Sequence, residues 1–199
     1  PAAALLQVHR SNFEVRGFTA QPDLSELAEL AHAHDLPLIV DLGSGALQPM
    51  AAFGLRDEPT VADALAAGAD VATFSGDKLV GGPQAGLAVG GARWIGTLAR
   101  CAMARAVRVD ATVLAALEVV LRSHLLGRST VDLPIWRAIS MPGPDLEAAA
   151  NQLEATLRQA LKGAWQLGNV ASEARMGGGA QPLATVPSRC LTLSHAGHS

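Results

Sequence analysis

The 199-residue sequence has little of several residue types, and each scarcity argues against a class of protein. Its two cysteines, Cys101 and Cys190, are too few for a disulfide-stapled fold, which favours a reducing, cytoplasmic setting. No apolar run reaches the roughly 18 to 20 residues that a membrane-spanning helix needs. Only 17% of the residues are charged and the formal net charge is −3, so no broad basic surface for nucleic acid is expected on this segment.

Lysine is also scarce, because Lys78 and Lys162 are the only lysines among 15 basic residues. Arginine stays protonated at neutral pH, whereas a desolvated lysine amine can lose its proton and form a Schiff base. Each lysine is therefore a candidate for covalent chemistry, with an ordinary surface role as the alternative.

The first 75 residues alternate between apolar strands and amphipathic helices. Strands are predicted at 1–8, 36–40 and 70–74. Asp23 and Thr60 are placed to cap the helices that precede the second and third strands. This βαβ order is typical of a parallel sheet with helices packed on it.

The strand direction is expected to change after the third strand. Only the polar, glycine-rich stretch 75–84 separates it from an apolar strand at 85–89, and a parallel return needs a longer, usually helical, connection. The fourth strand should therefore run antiparallel. Helices are predicted over 92–104 and 109–126, so residues 1–128 are expected to form an α/β unit with a mostly parallel sheet.

A second, smaller unit is predicted towards the C-terminus. The proline-bearing segment 129–144 is interpreted as a linker, and Asp145 as the cap of a long helix. Two short strands follow, near 168–174 and 190–193. One helix and two strands bury little core, so 145–199 is expected to be an incomplete α+β domain.

Polar side chains at the strand ends suggest a cofactor site. Asp41 and Lys78 follow neighbouring strands, and the carboxyl ends of parallel strands commonly form a ligand cleft. A lysine for a Schiff base and a carboxylate for a protonated ring nitrogen are what pyridoxal phosphate requires. Ser75 lies three residues before Lys78, where its hydroxyl could reach the cofactor phosphate.

Other features at these strand ends allow more than one interpretation. The amide of Asn12 could donate to the cofactor's phenolic oxygen, or Asn12 could be a turn residue. The glycine-rich loop 81–86 permits close backbone approach by a ligand or a partner subunit, or is an ordinary turn. The stretch 39–45 also resembles the glycine loop of S-adenosylmethionine methyltransferases, although Leu47 stands where that loop usually has glycine.

Arg105 and Arg108 form a candidate anion site just before the long helix. They are spaced i, i+3, so on a helix they would share one face and present two guanidinium groups to an oxyanion. Ion pairs with Asp110 and Glu118 are the alternative. No metal site is predicted.

Several motifs together resemble the bacterial L-seryl-tRNA(Sec) selenium transferases, or selenocysteine synthases. The most specific is the string Ser75-Gly-Asp-Lys-Leu-Val-Gly-Gly-Pro-Gln-Ala-Gly86. The others are Val8-His-Arg-Ser-Asn-Phe13, Asp41-Leu-Gly-Ser-Gly-Ala46, Glu58-Pro-Thr-Val61, Ala67-Gly-Ala-Asp70 and Arg105-Ala-Val-Arg-Val-Asp110. The match is dense over 1–128 and looser beyond.

The resemblance implies a fold-type I pyridoxal phosphate enzyme and a role for each candidate residue. Lys78 would form the Schiff base, Asp41 would pair with the ring nitrogen, and Asp77 would handle or position a proton. Arg105 and Arg108 would bind the oxyanion of the selenium donor.

The implied reaction converts L-seryl-tRNA(Sec) to selenocysteinyl-tRNA(Sec) through an aminoacrylyl intermediate, with selenophosphate as donor. Another pyridoxal phosphate enzyme acting on a free amino acid, and an inactive truncated chain, are the alternatives. The family also implies a homo-oligomer and an N-terminal part that contacts most of the tRNA. The sequence is accordingly interpreted as a fragment that lacks this N-terminal part, which carries the phosphate-binding and ring-stacking residues. It is also expected to lack the last strands of the small domain.

Overall fold

The structure is a computed structural model, and it describes residues 2–10, 17–55, 58–161, 165–175 and 184–195. Its strands are β1 (Leu5–Val8), β2 (Leu38–Gly43), β3 (Val71–Ser75), β4 (Gly86–Gly90), β5 (Trp165–Arg175) and β6 (Thr185–His195). Its helices are α1 (Leu24–Ala33), α2 (Val61–Ala66), α3 (Ala92–Arg100), α4 (Ala102–Ala106), α5 (Ala111–Leu125), α6 (Ser129–Asp132), α7 (Pro134–Ile139) and α8 (Gly143–Ala160). A 3₁₀ turn lies at Met50–Phe53.

Four strands form the main sheet in the order β1-β2-β3-β4. β1, β2 and β3 are parallel, and β4 is antiparallel to β3, which confirms the predicted change of direction. β2 extends further than predicted, because Asp41 still pairs with Val8 on one side and Thr73 on the other. Asp41 therefore lies within the strand instead of after it.

Helices cover one face of this sheet. The side chains of Leu38, Val40 and Leu42 alternate along β2 into a core that also contains Ala72 and Phe74 of β3. The core includes apolar residues of α1 and α2, which are Ala28, Ala31, Val61 and Ala64. Both helices have the predicted caps: Asp23 accepts from the Ser25 N–H, and Thr60 forms a capping box with Asp63.

Three helix boundaries differ from the predictions. The helix predicted over 92–104 is two helices, because Cys101 has an extended backbone (φ −67°, ψ 137°) between α3 and α4. The next helix begins later than predicted, at Ala111, where the Asp110 side chain accepts from the Val113 N–H. Asp145 lies inside the first turn of α8 and is not its cap, because the helix already begins beside Pro144, whose missing N–H has no cost there.

The stretch expected to be a linker is folded in the structure. It contains α6 and α7, and Trp136 of α7 is fully buried in the core shared with β2 and β3. The division of the chain at 128 and 145 therefore stays a prediction. In the described part of this stretch, helices pack against the main sheet's core.

The predicted second unit contains α8 and an antiparallel pair of strands. β5 and β6 are 11 residues each, longer than predicted, and are paired from Trp165 opposite His195 to Arg175 opposite Thr185. A side-chain hydrogen bond joins α8 to this pair of strands, with Asn169 of β5 donating to Asn151 of α8 at 2.8 Å. Among the described helices, none is both long and apolar enough to cross a bilayer.

Candidate active site

Asp41 lies on the face of the sheet opposite the helical core. Burial alternates along β2, with Leu42 and Val40 buried and Asp41 half-buried between them. Thr73 is its neighbour in β3, and the Thr73 hydroxyl donates to the Asp41 carboxylate at 3.0 Å. This bond orients a carboxylate that remains partly accessible on that face of the sheet.

The chain turns sharply directly after Asp41. The pairing of β2 with β3 shifts by one residue between Asp41 and Gly43, which is a β-bulge. Gly43 and Gly45 have φ of +65° and +72°, values that favour glycine. A Cβ on Gly45 would lie 2.8 Å from Val80 and 2.9 Å from the Ser75 carbonyl oxygen. The loop after Asp41 is therefore packed directly against the segment that contains Lys78.

Lys78 lies in a tight turn between β3 and β4. The Gly81 N–H donates to the Lys78 carbonyl at 2.9 Å, and the Leu79 N–H donates to the Ser44 carbonyl at 2.9 Å. The second bond connects the Lys78 turn to the loop after Asp41. Lys78 is half-buried, and within the described residues no hydrogen bond or ion pair engages its ammonium group.

Ser75 and Asp77 line one small open concavity together with residues 84–86. Ser75 is the last residue of β3 and is half-buried, whereas Asp77 is exposed. Ser75 and Asp77 thus share a concavity at the carboxyl end of β3, and Lys78 follows them on the same connection without being one of its lining residues. Asn12, the fourth predicted cofactor residue, lies outside the described residues.

The two arginines do not share a helix face as predicted. Arg105 is in the last turn of α4, and Arg108 follows the end of that helix. Both are exposed. The alternative ion pairs are not formed either, since Glu118 accepts from Arg122 at 2.9 Å and Asp110 caps α5. Their guanidinium groups are thus without a described carboxylate partner, and their role as an anion site stays a prediction.

Two residues that contact the Lys78 turn were not predicted as site residues. The Trp136 indole N–H donates to the Leu79 carbonyl at 2.8 Å, and His124 Nε2 donates to the Val80 carbonyl at 2.8 Å. No local pattern marks such contacts, which join residues 57 and 44 positions apart. The presence of a tryptophan in a supposed linker was the one available signal, because a large apolar side chain is usually buried.

A second polar cluster lies at the opposite, amino end of β3. The Asp70 carboxylate accepts from His32 Nε2 at 2.9 Å, the Leu38 N–H at 2.9 Å and the Trp94 indole at 3.1 Å. Burial raises the pKa of Asp70, but the hydrogen bonds from His32, Leu38 and Trp94 outweigh it and hold the pKa below the ordinary 3.8. This cluster joins α1, the start of β2 and α3, and it is separate from the candidate site.

Comparison with known proteins decides the family. A family model described as L-seryl-tRNA selenium transferase matches residues 1–199. The chain belongs to the L-seryl-tRNA selenium transferase family. Curated L-seryl-tRNA(Sec) selenium transferases include one from Solidesulfovibrio magneticus, 45% identical over 192 residues, and one from Desulfovibrio desulfuricans, 46% identical over 194 residues. The resemblance drawn from the motifs is thereby confirmed, and the methyltransferase alternative is wrong.

These relatives of the selenium transferase family are considerably longer than the chain. Each alignment covers 96% of this chain but 41% of the relative, so the chain spans about two-fifths of their length. Among solved structures, the chain is similar to D-glucosaminate-6-phosphate ammonia-lyase, with a TM-score of 0.54 and 22% identity over 87% of this chain and 38% of that one. That likeness shows the fold alone, and it confirms the expected α/β fold class.

Proposed function

We propose that this chain carries the lysine and carboxylate of a pyridoxal phosphate-dependent selenium transferase, which converts L-seryl-tRNA(Sec) to selenocysteinyl-tRNA(Sec) with selenophosphate. The observation that carries the proposal is that, in a member of this family, the loop after Asp41 is hydrogen-bonded to the turn that contains Lys78. One hydrogen bond, from the Leu79 N–H to the Ser44 carbonyl, joins the segments that hold them.

The residues present fit pyridoxal phosphate. The cofactor needs an amine for its carbonyl carbon, a carboxylate for its ring nitrogen and donors for its phosphate. Lys78 supplies an amine with no described partner, Asp41 a half-buried carboxylate and Ser75 a hydroxyl on the same connection. When bound, the cofactor supplies an electron sink that makes the α-proton of the seryl group acidic.

Each side chain then has a defined task. Asp41, oriented by the Thr73 hydroxyl, would hold the proton of the ring nitrogen. Lys78 would anchor the cofactor and release it to the seryl amine. Asp77, exposed beside Lys78, is placed to accept or position a proton near the substrate. Asn12 would donate to the cofactor's phenolic oxygen.

Arg105 and Arg108 would bind the selenium donor. Selenophosphate carries an oxyanion, and arginine recognises such groups through two parallel N–H donors. Loss of the seryl α-proton and hydroxyl as water would leave an electrophilic β-carbon. Selenium would form its bond to that carbon while water breaks the Se–P bond of selenophosphate, which releases phosphate. The cytoplasm is the proposed location, and a homo-oligomer the proposed assembly.

The test is formation of selenocysteinyl-tRNA by the natural full-length protein. We expect product from seryl-tRNA(Sec) and selenophosphate, none from free serine, and none with K78R. The other lysine provides the matched control, since K162R should keep activity. Turnover of free serine in place of the tRNA ester would favour an enzyme of amino-acid metabolism and would contradict the proposal.

A further inference from the structure

The turn that follows Lys78 is fixed at three successive peptide groups. The first peptide group joins Lys78 to Leu79, and its carbonyl accepts from Gly81 while its N–H donates to Ser44. The carbonyl of the second accepts from Trp136, and that of the third accepts from His124. Connecting segments usually lie on the surface, whereas this one is held by hydrogen bonds from three other segments.

The two side-chain donors come from different helices. Trp136 lies on α7 and is fully buried, and His124 lies near the end of α5 and is half-buried. Because a carbonyl oxygen can only accept, Nε2 of His124 carries the proton in this contact. The two rings also meet edge to face, with centroids 6.0 Å apart. Leu79 and Val80 are themselves buried, so their carbonyl groups need hydrogen-bond partners from within the protein.

We propose that His124 and Trp136 are positioning residues for Lys78: their hydrogen bonds fix the backbone from which the lysine side chain extends. The inference rests on the proposed role of Lys78 in binding the cofactor. A lysine side chain is long and flexible, so the amine reaches a fixed carbon efficiently only when its backbone is held. Packing of α5 and α7 against the core does not by itself require that both side chains donate hydrogen bonds to the peptide groups directly after Lys78.

The chain offers matched controls at the other end of the sheet. Trp94 and His32 also donate from an indole N–H and an imidazole Nε2, but to the Asp70 carboxylate. Replacing either by phenylalanine removes a hydrogen bond from the same type of donor at the amino end of β3, away from the Lys78 turn. These controls separate a general loss of stability from a specific effect on the lysine.

The test measures Lys78 itself in the natural full-length protein. The rate at which added pyridoxal phosphate becomes borohydride-fixed on Lys78 is compared among the wild type, W136F, H124F, H124Q, W94F and H32F. Amide hydrogen exchange of the peptide 76–82 is measured without cofactor. Circular dichroism and thermal melting establish that each variant is folded.

We expect W136F and H124F to slow labelling by about 10- to 100-fold and to accelerate exchange in 76–82. H124Q, whose amide can still donate, should recover most of the rate, and W94F and H32F should label as the wild type does. Wild-type rates in folded H124F, or equal losses in the controls, would overturn the inference. If W136F does not fold, the H124F and H124Q pair decides. Absence of label on Lys78 in the wild type would instead contradict the proposed function.

Discussion

Replacing Gly45 by alanine tests how closely the loop after Asp41 packs against the Lys78 segment. Gly45 has φ of +72°, and an added Cβ would lie 2.8 Å from Val80 Cγ2 and 2.9 Å from the Ser75 carbonyl oxygen. The left-handed backbone costs alanine about 1 to 2 kcal/mol. The overlap adds about 1 to 3 kcal/mol, because the Ser75 oxygen belongs to the backbone and cannot rotate away. We therefore expect G45A to lower the free energy of unfolding by about 2 to 5 kcal/mol.

Gly54 is the matched control for this substitution. Its φ is +70°, but a Cβ there would meet no atom within 4 Å. G54A should therefore lower the free energy of unfolding only by the about 1 to 2 kcal/mol that alanine loses in a left-handed backbone conformation. Urea denaturation of the full-length protein, followed by circular dichroism, measures the free energy of unfolding of both variants. Labelling of Lys78 by pyridoxal phosphate and borohydride should decrease in G45A alone. Equal losses in the two variants would refute the close packing.

Four further substitutions test other parts of the proposed site and fold. R105K or R108K keeps the charge but loses the two parallel N–H groups of the guanidinium, so turnover at subsaturating selenophosphate should fall by about 10- to 150-fold. Unchanged turnover in both variants would make the arginines structural. T73V removes the donor to Asp41 and should weaken pyridoxal phosphate binding by about 2- to 10-fold in a fluorescence titration, whereas unchanged affinity would show that Thr73 does not orient the carboxylate. D70A should destabilise the protein by about 1 to 3 kcal/mol at neutral pH. Folding lowers the pKa of Asp70, so its contribution to the free energy of unfolding is complete above the ordinary pKa of 3.8 and is lost as the pH falls through the lower folded pKa. The stabilities of the wild type and D70A should therefore converge in acid. A stability difference that stays constant down to that pH range would contradict this assignment.

The parts of the fold that follow from local pattern were predictable. Short apolar runs bounded by polar or glycine-rich residues located the four strands of the main sheet, and the short glycine-rich connection after Phe74 required the antiparallel return of β4. Asp23 and Thr60 cap their helices because their side chains satisfy N–H groups only a few residues away. The pairing of Asp41 with Thr73 follows from the same topology.

What the pattern missed depends on contacts distant in sequence or on competing local preferences. Neither proline nor glycine marks the break at Cys101, so periodicity alone continued the helix through it. The strand β2 continues past Asp41 because neighbouring strands supply partners for its backbone. The contacts of Trp136 and His124 with the Lys78 turn bring α7 and α5 against a loop far away in the chain, and no short window of sequence contains both partners.

The central claim is that Lys78 is the lysine that holds the cofactor. The most direct measurement is borohydride reduction of the full-length protein saturated with pyridoxal phosphate, followed by peptide mapping. The account predicts a single pyridoxyl group on the peptide that contains Lys78, and its loss in K78R. Label on Lys162, or undiminished label in K78R, would contradict it.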